Sequence, residues 1–395
     1  MKNKNFKFHV VITAILLSGG FTATSQTTSA YSKEIIPYVD FLKAQEMSGK
    51  DYIFHLFEKY DIVVLCEGDH REYTQYDFYY DIVTDARFAE MQGAIYTEVF
   101  SMAGTKIFER FNYSEDSAHV QQVIDSIQFG TGVFPMWTKR NIYDFLTRLY
   151  YFNRTAAPDK RIRWAGADRY INWFEIRTKE DVEQTYKPML EGSNRDKYMA
   201  ENIYRDFMQH GQKKSLVVMN YRHSFMNDSW TSANTGDGKV IGNMAAILKH
   251  RLQGRVTNVW VHSVNVSSNT FAPVLEGKLD AAFLALSNPS LGFDMQGSPL
   301  GDKFFELWTA KKHTLTFQDV FHGYVFYNPV SAQRLYDGIP EYYSIPENMD
   351  ELKRRCSLTG TKMRWDNAKK MYEDKKPFPF HKQTQRKIAK WLGKF

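Results

Sequence analysis

The chain has 395 residues, of which 43% are hydrophobic and 24% charged, and its formal net charge is +6. These ordinary globular values exclude a disordered or fibrous chain and favour one large α/β domain or two modest ones. The aromatic fraction of 15% is high, which indicates either core filling or a ligand groove lined by rings.

The first 25 residues have the order of an export signal. Three lysines precede an apolar stretch at 10–17, and small residues follow it. The stretch is too short to cross a bilayer, and no Cys follows it as a site for a lipid anchor. We therefore expect cleavage between Thr24 and Ala30, a periplasmic or secreted product, and no transmembrane helix in the mature chain.

Short apolar runs predict six buried strands, separated by segments with helical spacing. The strand-bearing segments are 62–73, 93–100, 161–169, 214–225, 255–264 and 323–329. The helical segments are 48–60, 73–91, 120–152, 198–210 and 241–252. This alternation predicts an α/β fold, with a mostly parallel central sheet flanked by helices.

Three regions are expected after the signal at 1–25. An α/β domain spans 31–340 and carries a helical insertion or lid at about 101–158. Within this insertion the sequence "FGTGVFPMW" at 129–137 breaks the helix, and its rings face either a ligand or the core. A basic helical extension follows at 341–395.

The extension holds a marked excess of positive charge. Residues 353–395 contain fourteen Lys or Arg against three acids. This excess indicates either contact with an anionic polymer or membrane surface, or a solvated helical face. No signature of a nucleic-acid-binding module accompanies it, so we expect no nucleic-acid partner.

Two cysteines, Cys66 and Cys356, are the only thiols of the chain. In an exported protein they form either one disulfide or two separate free thiols. Their spacing matches no zinc motif.

Four predicted strands deliver polar or ionisable residues where they end. In a parallel sheet these carboxyl ends share one edge, where a ligand sits. The residues expected to meet there are Glu67, His70, Glu98, Asp168 and His223. A neutral imidazole takes a proton from water, and a carboxylate on its other nitrogen fixes its tautomer.

Arg195 opens a predicted helix, where the helix dipole disfavours a positive charge. One explanation is that its guanidinium binds a substrate carbonyl or a developing oxyanion. The other is an ordinary ion pair with Asp196 or Glu201.

Several sequence blocks resemble the erythromycin esterase-like superfamily in order and spacing, over roughly 61–330. The blocks are "VVLCEGDHREY", "YTEVF", "AGADR", "RDKYMAEN", "VVMNYRHSF", "IGNMAAILKHRLQGR" and "DVFHGYVFYNP". The most specific is "RDKYMAEN", which resembles the R-D-x-x-M-A-x-N signature of that superfamily.

The resemblance implies a hydrolase without an obligatory metal or other cofactor, in which a His activates water to attack the ester carbonyl of a small molecule. It makes His70 the general base, oriented with its water by Glu67 and Glu98. Arg195 would stabilise the oxyanion, and His223 would assist at the carbonyl or leaving group. Four further residues are expected to bind substrate: Asp168, Arg71, Arg222 and Tyr221. No G-x-S-x-G elbow is present, which agrees with a water route.

The chain departs from the superfamily at Cys66 and Arg71, where glycines are expected, and at "NYRH", where H-N-x-H is expected. These changes predict a different pocket mouth and a substrate other than a macrolide.

Two neighbouring branches of the superfamily supply rival hypotheses for the function. The first is a Tiki/TraB-like hydrolase holding a divalent metal through Glu67, His70, Glu98, Asp168 and His223. The second is a ChaN-like protein that binds haem, or another ligand such as a surface glycan, without turnover.

Overall fold

A seven-stranded sheet forms the centre of the protein in the computed structural model. The structure describes residues 31–112, 119–135, 137–191, 194–226, 242–267, 270–307, 314–336, 338–339, 342, 344–362, 376–377 and 382–394. The predicted signal at 1–25 and its cleavage site lie outside these residues.

The main sheet is parallel except at one edge. The strands, in chain order, are β1 Ile62–Glu67, β2 Ala94–Ser101, β3 Arg163–Asp168, β4 Ser215–Asn220, β5 Val256–Val261, β6 Asn265–Ser267, β7 Thr270–Ala272, β8 Leu291–Asp294, β9 Gly323–Phe326, β10 Arg334–Leu335 and β11 Lys376–Pro377. Their order in the main sheet is β3-β2-β4-β1-β5-β9-β8, and only β8 runs antiparallel to its neighbour. The predicted α/β fold with a mostly parallel sheet is confirmed.

Helices cover both faces of the sheet. They are α1 Ile36–Lys43, α2 Gly49–Lys59, α3 Gln75–Val83, α4 Ala86–Glu90, α5 Met102–Asn112, α6 Val120–Thr131, α7 Arg140–Thr155, α8 Lys179–Asp181, α9 Lys187–Leu190, α10 Asn194–Gln209, α11 Met244–Arg251, α12 Lys278–Ala285, α13 Phe317–Val320, α14 Pro346–Thr359 and α15 Lys382–Trp391. A π-helical turn joins α8 to α9. None of the helices in the described part of the chain is long and apolar enough to cross a membrane.

The central strand β1 shows why its sequence is continuously apolar. All six of its residues are buried, and successive side chains point to opposite faces. Val63 and Leu65 pack with α2, α3 and α5–α7 on one face. Val64 and Cys66 pack with α1 and α10–α12 on the other. A strand covered on both faces has no solvent side that would require polar residues.

Two predicted helices are each divided in the structure. The segment 73–91 forms α3 and α4, because Asp85 accepts a hydrogen bond from the backbone N–H of Arg87 and starts a new helix. The segment 120–152 forms α6, which ends at Thr131, and α7, which begins at Arg140, so the helix is interrupted where the stretch 129–137 was expected to break it. The helices of the expected insertion, α5 to α7, contribute to the same apolar cluster as β1.

One strand of the main sheet was missed. Strand β8 has only four residues, "LGFD", and pairs antiparallel with β9 at the edge. Its Gly292 lies against Tyr52 so closely that a Cβ there would come within 3.0 Å of that side chain. So short a run gives too little periodicity to be recognised from sequence.

The two thiols are separate. Cys66 and Cys356 are both free and buried, so of the two alternatives the structure shows free thiols.

Part of the charge excess at the C-terminus is neutralised within the protein: Arg354 and Arg355 of α14 both pair with Glu351. Helix α15 packs on the domain through its buried Trp391.

Candidate active site

A solvent-open cleft of about 300 Å³ lies at the carboxyl ends of β1, β2 and β4. The strand order places these three strands side by side. The cleft is lined by Gly68, Asp69, His70, Glu98, Phe134, Trp137, Arg195, Asn220, Arg222 and His223. Most of the ionisable residues predicted from the strand ends therefore meet in one place.

His70 is held by contacts to its ring and to its backbone. Its Nδ1 contacts the buried carboxylate of Glu67, and its Nε2 lies 3.6 Å from Oε1 of Glu98. The side-chain amide of Asn141, at the start of α7, donates to the carbonyl of His70 at 2.8 Å. Gly68 lets this loop approach the segment that follows β5, because a Cβ there would come within 3.0 Å of Ser263. The imidazole is thus fixed with one nitrogen on each of two carboxylates.

The electrostatics of His70 follow from these two acids. Burial alone would lower its pKa, but the negative charges of Glu98 and Glu67 raise it to about 9. The imidazole is therefore mainly cationic at neutral pH. The sequence had suggested that His70 is a neutral base, but with this raised pKa most His70 side chains are neutral only in alkaline solution.

Glu98 is the centre of the cleft. Its Oε1 lies 2.8 Å from Nη2 of Arg195, 3.4 Å from Nε2 of His223 and 3.6 Å from Nε2 of His70. Its Oε2 accepts a hydrogen bond from the backbone N–H of Asn220 at 2.9 Å. Burial would raise the pKa of Glu98, but the charges of His223, Arg195 and His70 hold it well below its usual range. One carboxylate oxygen thus gathers three nitrogen groups from three elements.

Arg195 has a partner that the sequence did not indicate. Its Nε and Nη2 donate to the two carboxylate oxygens of Asp168, at 2.8 Å each. The expected alternatives, Asp196 and Glu201, pair with other residues. A fully buried Asp168 therefore fixes the guanidinium in the plane that faces Glu98.

His223 repeats the arrangement seen at His70. Its Nδ1 lies 3.0 Å from Oδ1 of Asp196, which also accepts the backbone N–H of Met244 at 2.8 Å. Burial would lower the pKa of His223, but Asp196 and Glu98 raise it to about 10. Nη1 of Arg195 lies 3.2 Å from Nε2 of His223, and Oε1 of Glu98 bridges these two cations.

Two aromatic rings from the break between α6 and α7 form a wall of the cleft. The Trp137 ring lies 5.1 Å from the His70 ring. The guanidinium carbon of Arg195 lies 5.4 Å from the centre of the Phe134 ring and 5.7 Å from that of Trp137. The same segment is anchored to the core, since Trp173 donates to the Gly132 carbonyl at 2.6 Å. The rings of Phe134 and Trp137 therefore face the cleft, while Gly132 in the same segment is bonded to the buried Trp173.

The four residues expected to bind substrate have different positions. Arg222 is exposed and lines the cleft. Asp168 holds Arg195 and is fully buried, so it acts behind the cleft surface. Arg71 turns back onto Asp69, with contacts of 2.9 Å and 2.7 Å. Tyr221 is in the core, because its hydroxyl donates to the Leu307 carbonyl at 3.0 Å.

Sequence reasoning missed two residues of the site. Asp196 had been considered only as an ion-pair partner of Arg195, and it supports His223 instead. Asn220 had been considered only as a departure from a motif. Its side-chain amide donates to the Gly68 carbonyl at 2.9 Å, which joins the ends of β1 and β4. The sequence signal that could have indicated them is their position in the chain, next to the predicted site residues Arg195 and Tyr221.

The donors only partly fit a metal ion. One ligand atom each from Glu67, His70 and Glu98 lies within 4.8 Å of the other two. The guanidinium of Arg195 already lies 2.8 Å from Oε1 of Glu98, where it repels a divalent cation. The two remaining residues of the expected ligand set have other partners: Asp168 binds Arg195, and His223 contacts Asp196. The five residues therefore do not form one metal-binding set.

Comparison with family models and with curated proteins finds no match. Among solved structures, a protein from Bacillus cereus is similar at 11% identity and a TM-score of 0.46, over 74% of this chain and 96% of that one. A mutant erythromycin esterase in its open conformation is similar at 11% identity and 0.46, over 75% and 96%. A succinoglycan biosynthesis protein is similar at 10% identity and 0.44, over 69% and 89%.

Proposed function

We propose that the protein is an exported hydrolase that activates water with His70 to cleave an ester-like bond in a small molecule. One observation carries the proposal: His70, His223 and Arg195 all converge on Oε1 of Glu98 in a cleft that solvent can enter. The export part of the proposal rests on the leader at 1–25 alone.

In the first step, neutral His70 takes a proton from a water molecule as that water attacks the carbonyl carbon. The imidazolium that forms is stabilised by Glu67 at Nδ1 and by Glu98 near Nε2. Because the pKa of His70 is raised to about 9, only about 1% of the imidazole is neutral at pH 7. The rate is therefore expected to rise with pH.

In the second step, the tetrahedral intermediate carries its negative charge on the former carbonyl oxygen. Arg195 and His223 supply N–H donors for this oxyanion, and Asp168 keeps the guanidinium in place before substrate arrives. Preorganised donors of this kind are worth about 10²–10³ in rate each. The intermediate collapses with cleavage of the C–O bond, and protonated His223 gives its proton to the departing alkoxide. The proton that His70 took from water then passes through solvent to His223, which restores both imidazoles as the carboxylic acid and the alcohol leave.

The size and walls of the cleft limit the substrate. A volume of about 300 Å³ is at the small end of ligand pockets. Phe134 and Trp137 offer ring faces on one side, and the exposed Arg222 offers a positive charge at the rim. A small ester with an apolar or aromatic acyl group fits this surface better than a large macrolide ring does.

A panel of small chromogenic esters tests the proposal on purified mature protein. Hydrolysis of at least one ester is expected, and His70→Ala should reduce it by about 10³-fold or more. The matched control is His322→Ala, since His322 is a partly buried imidazole outside the cleft that lies 3.7 Å from Asp294. Equal activity in the wild type and His70→Ala would refute the role of His70.

The metal-dependent alternative retains one favourable observation, the mutual approach of Glu67, His70 and Glu98. Extended chelation followed by the same ester panel distinguishes the two mechanisms. The proposal expects unchanged turnover after chelation, whereas loss of activity that returns on adding a divalent metal would favour the alternative. The haem-binding hypothesis stays a prediction, tested by the appearance of a Soret band on haem titration.

A further inference from the structure

Strand β2 contains an irregularity next to Glu98. Thr97 pairs with Gly166 of β3, but the next pair is Ser101 with Asp168. Glu98, Val99 and Phe100 therefore stand opposite the single residue Ala167. The register of β2 and β3 shifts at the point where Glu98 enters the cleft.

Val99 has a backbone conformation that its side chain disfavours. Its φ is 82°, in the left-handed region, and it is buried. Among the non-glycine residues with positive φ in the described chain, Val99 is the one with a branched Cβ and the one inside a strand. Such an outlier persists only where the surroundings enforce it, and it often lies at a functional site.

The surroundings that enforce the bulge are identifiable. The backbone N–H of Val133 donates to the Val99 carbonyl at 2.8 Å, and Phe100 bridges to Gly132. The Ser101 hydroxyl donates to the Ile171 carbonyl at 2.6 Å.

On the opposite strand, Gly166 leaves the space that the bulge needs. A Cβ at position 166 would come within 3.0 Å of the carbonyl oxygens of both Phe100 and Ser101. The two strands fit at this point because residue 166 has no side chain.

The bulge has a direct consequence for the cleft. In a regular pairing Val99 would stand opposite Asp168, whereas the bulge puts Ser101 there. Asp168 and Glu98 then both reach Arg195, at 2.8 Å each. We propose that the backbone bulge at Val99, for which Gly166 leaves the room, positions the site: it aims the Glu98 carboxylate between the two imidazoles and the guanidinium.

This inference builds on the proposed hydrolase function, but its main test needs no substrate. NMR titration of the free protein measures the pKa of His70 and of His223, which report how close Glu98 is. Gly166→Ala pushes the bulge away from β3, so both pKa values should fall by about one pH unit. In the ester assay the same variant should lower kcat by about tenfold or more, with KM changed less than about threefold.

The control is Gly292→Ala, which adds a Cβ equally close to the Tyr52 side chain. Gly292 lies in the edge strand β8, which β5 and β9 separate from the strands of the cleft. It should leave both imidazole pKa values at their wild-type positions. If Gly166→Ala does not fold, Ser101→Ala serves instead, because it removes the anchor at the end of the bulge without adding an atom. It should lower both pKa values by a smaller amount.

A variant at Val99 gives the complementary result. Val99→Gly adopts a φ of 82° without strain, so the bulge and both imidazole pKa values should be retained. The inference is overturned if Gly166→Ala or its substitute leaves both pKa values unchanged, or if Gly292→Ala lowers them equally. If Gly166→Ala shifts the pKa values but the wild-type protein hydrolyses no ester, the positioning role is supported and the hydrolase function is refuted. If the wild-type protein hydrolyses an ester but Gly166→Ala leaves the pKa values unshifted, the hydrolase function is supported and the positioning role is refuted.

Discussion

Substituting Glu67 by Gln should move the activity of this protein to lower pH. Glu67 is buried and contacts Nδ1 of His70, whose side chain is 15% exposed, so solvent screens the pair only weakly. An opposite charge at such range shifts a pKa by about one to three units. Since Glu98 remains at 3.6 Å from Nε2, we expect the pKa of His70 to fall from about 9 by about one to two units, or about 1.4–2.7 kcal/mol.

Two quantities should change in opposite directions. The neutral fraction of His70 at pH 7 should rise from about 1% to about 10% or more. The maximal rate at high pH should fall, because a less basic imidazole is a weaker base and its cation has lost one stabilising charge. The variant keeps a side-chain oxygen that can accept the hydrogen bond from Gln75, which is 3.1 Å from Glu67 in the wild type.

The assay is kcat/KM against pH with the best ester, from about pH 6 to about pH 11, beside an NMR titration of His70. The control is Glu201→Gln, which removes a carboxylate of similar size that pairs with Arg251 outside the cleft. In this control, the rise of kcat/KM on the acidic side of the pH profile should coincide with that of the wild type. If the acid limb of Glu67→Gln stays at the wild-type position while the protein is folded, His70 is not the group whose deprotonation limits the reaction.

Three further outcomes are expected. Arg195→Lys keeps the positive charge but loses the paired contacts with Asp168, so kcat should fall about 10²-fold. Arg195→Met removes the charge as well, so this variant should also unfold more readily in urea. The pKa values of His70 and His223 are raised, so their stabilisation is complete below about pH 6.5 and is lost as pH rises through about 9 and 10. Urea unfolding at about pH 10 should therefore show a free energy lower by on the order of 6 kcal/mol than at pH 7, and an unchanged value would contradict the ion pairs. Trp137→Ala removes a ring 5.1 Å from the His70 ring and should raise KM about fivefold to tenfold with a smaller change in kcat, measured on an aromatic ester.

The edge of the sheet that holds the site could be predicted from sequence because parallel strands have a common direction. Each of the segments that deliver Glu67, Glu98, Asp168 and His223 is a short apolar run followed by polar residues. Once the runs are assigned to parallel strands, their carboxyl ends must share an edge. No knowledge of strand order is needed for that step.

The pairing of side chains within the cleft could not be predicted in the same way. Asp168 and Arg195 are separated by 27 residues, and which acid meets the guanidinium depends on the order of β2, β3 and β4. Tyr221 follows Asn220 directly, yet its side chain points into the core, because a turn of 3₁₀ helix begins at that residue. Such turns change the direction of successive side chains without a clear signal in the pattern.

The bulge at Val99 shows the same limit within a strand. The sequence "AIYTEVFS" is apolar enough to be recognised as a strand, but nothing in it indicates that three residues stand opposite one. The information lies in the partner strand, where Gly166 leaves the necessary space. Register is a property of two strands, and a pattern read along one of them does not contain it.

The cost of burying these charges favours a functional explanation of the cluster. Glu67, Glu98 and Asp168 are each at most 1% exposed, and taking a carboxylate out of water costs several kcal/mol before any partner compensates. Their ion pairs with the two imidazoles and the guanidinium recover this cost, but a well-packed apolar core of equal volume gives similar or greater stability. A fold that needed only stability would have no reason to place a strained valine beside Glu98. Charges that are costly to bury, held by strained backbone and open to solvent on one side, are what a preorganised catalytic site requires.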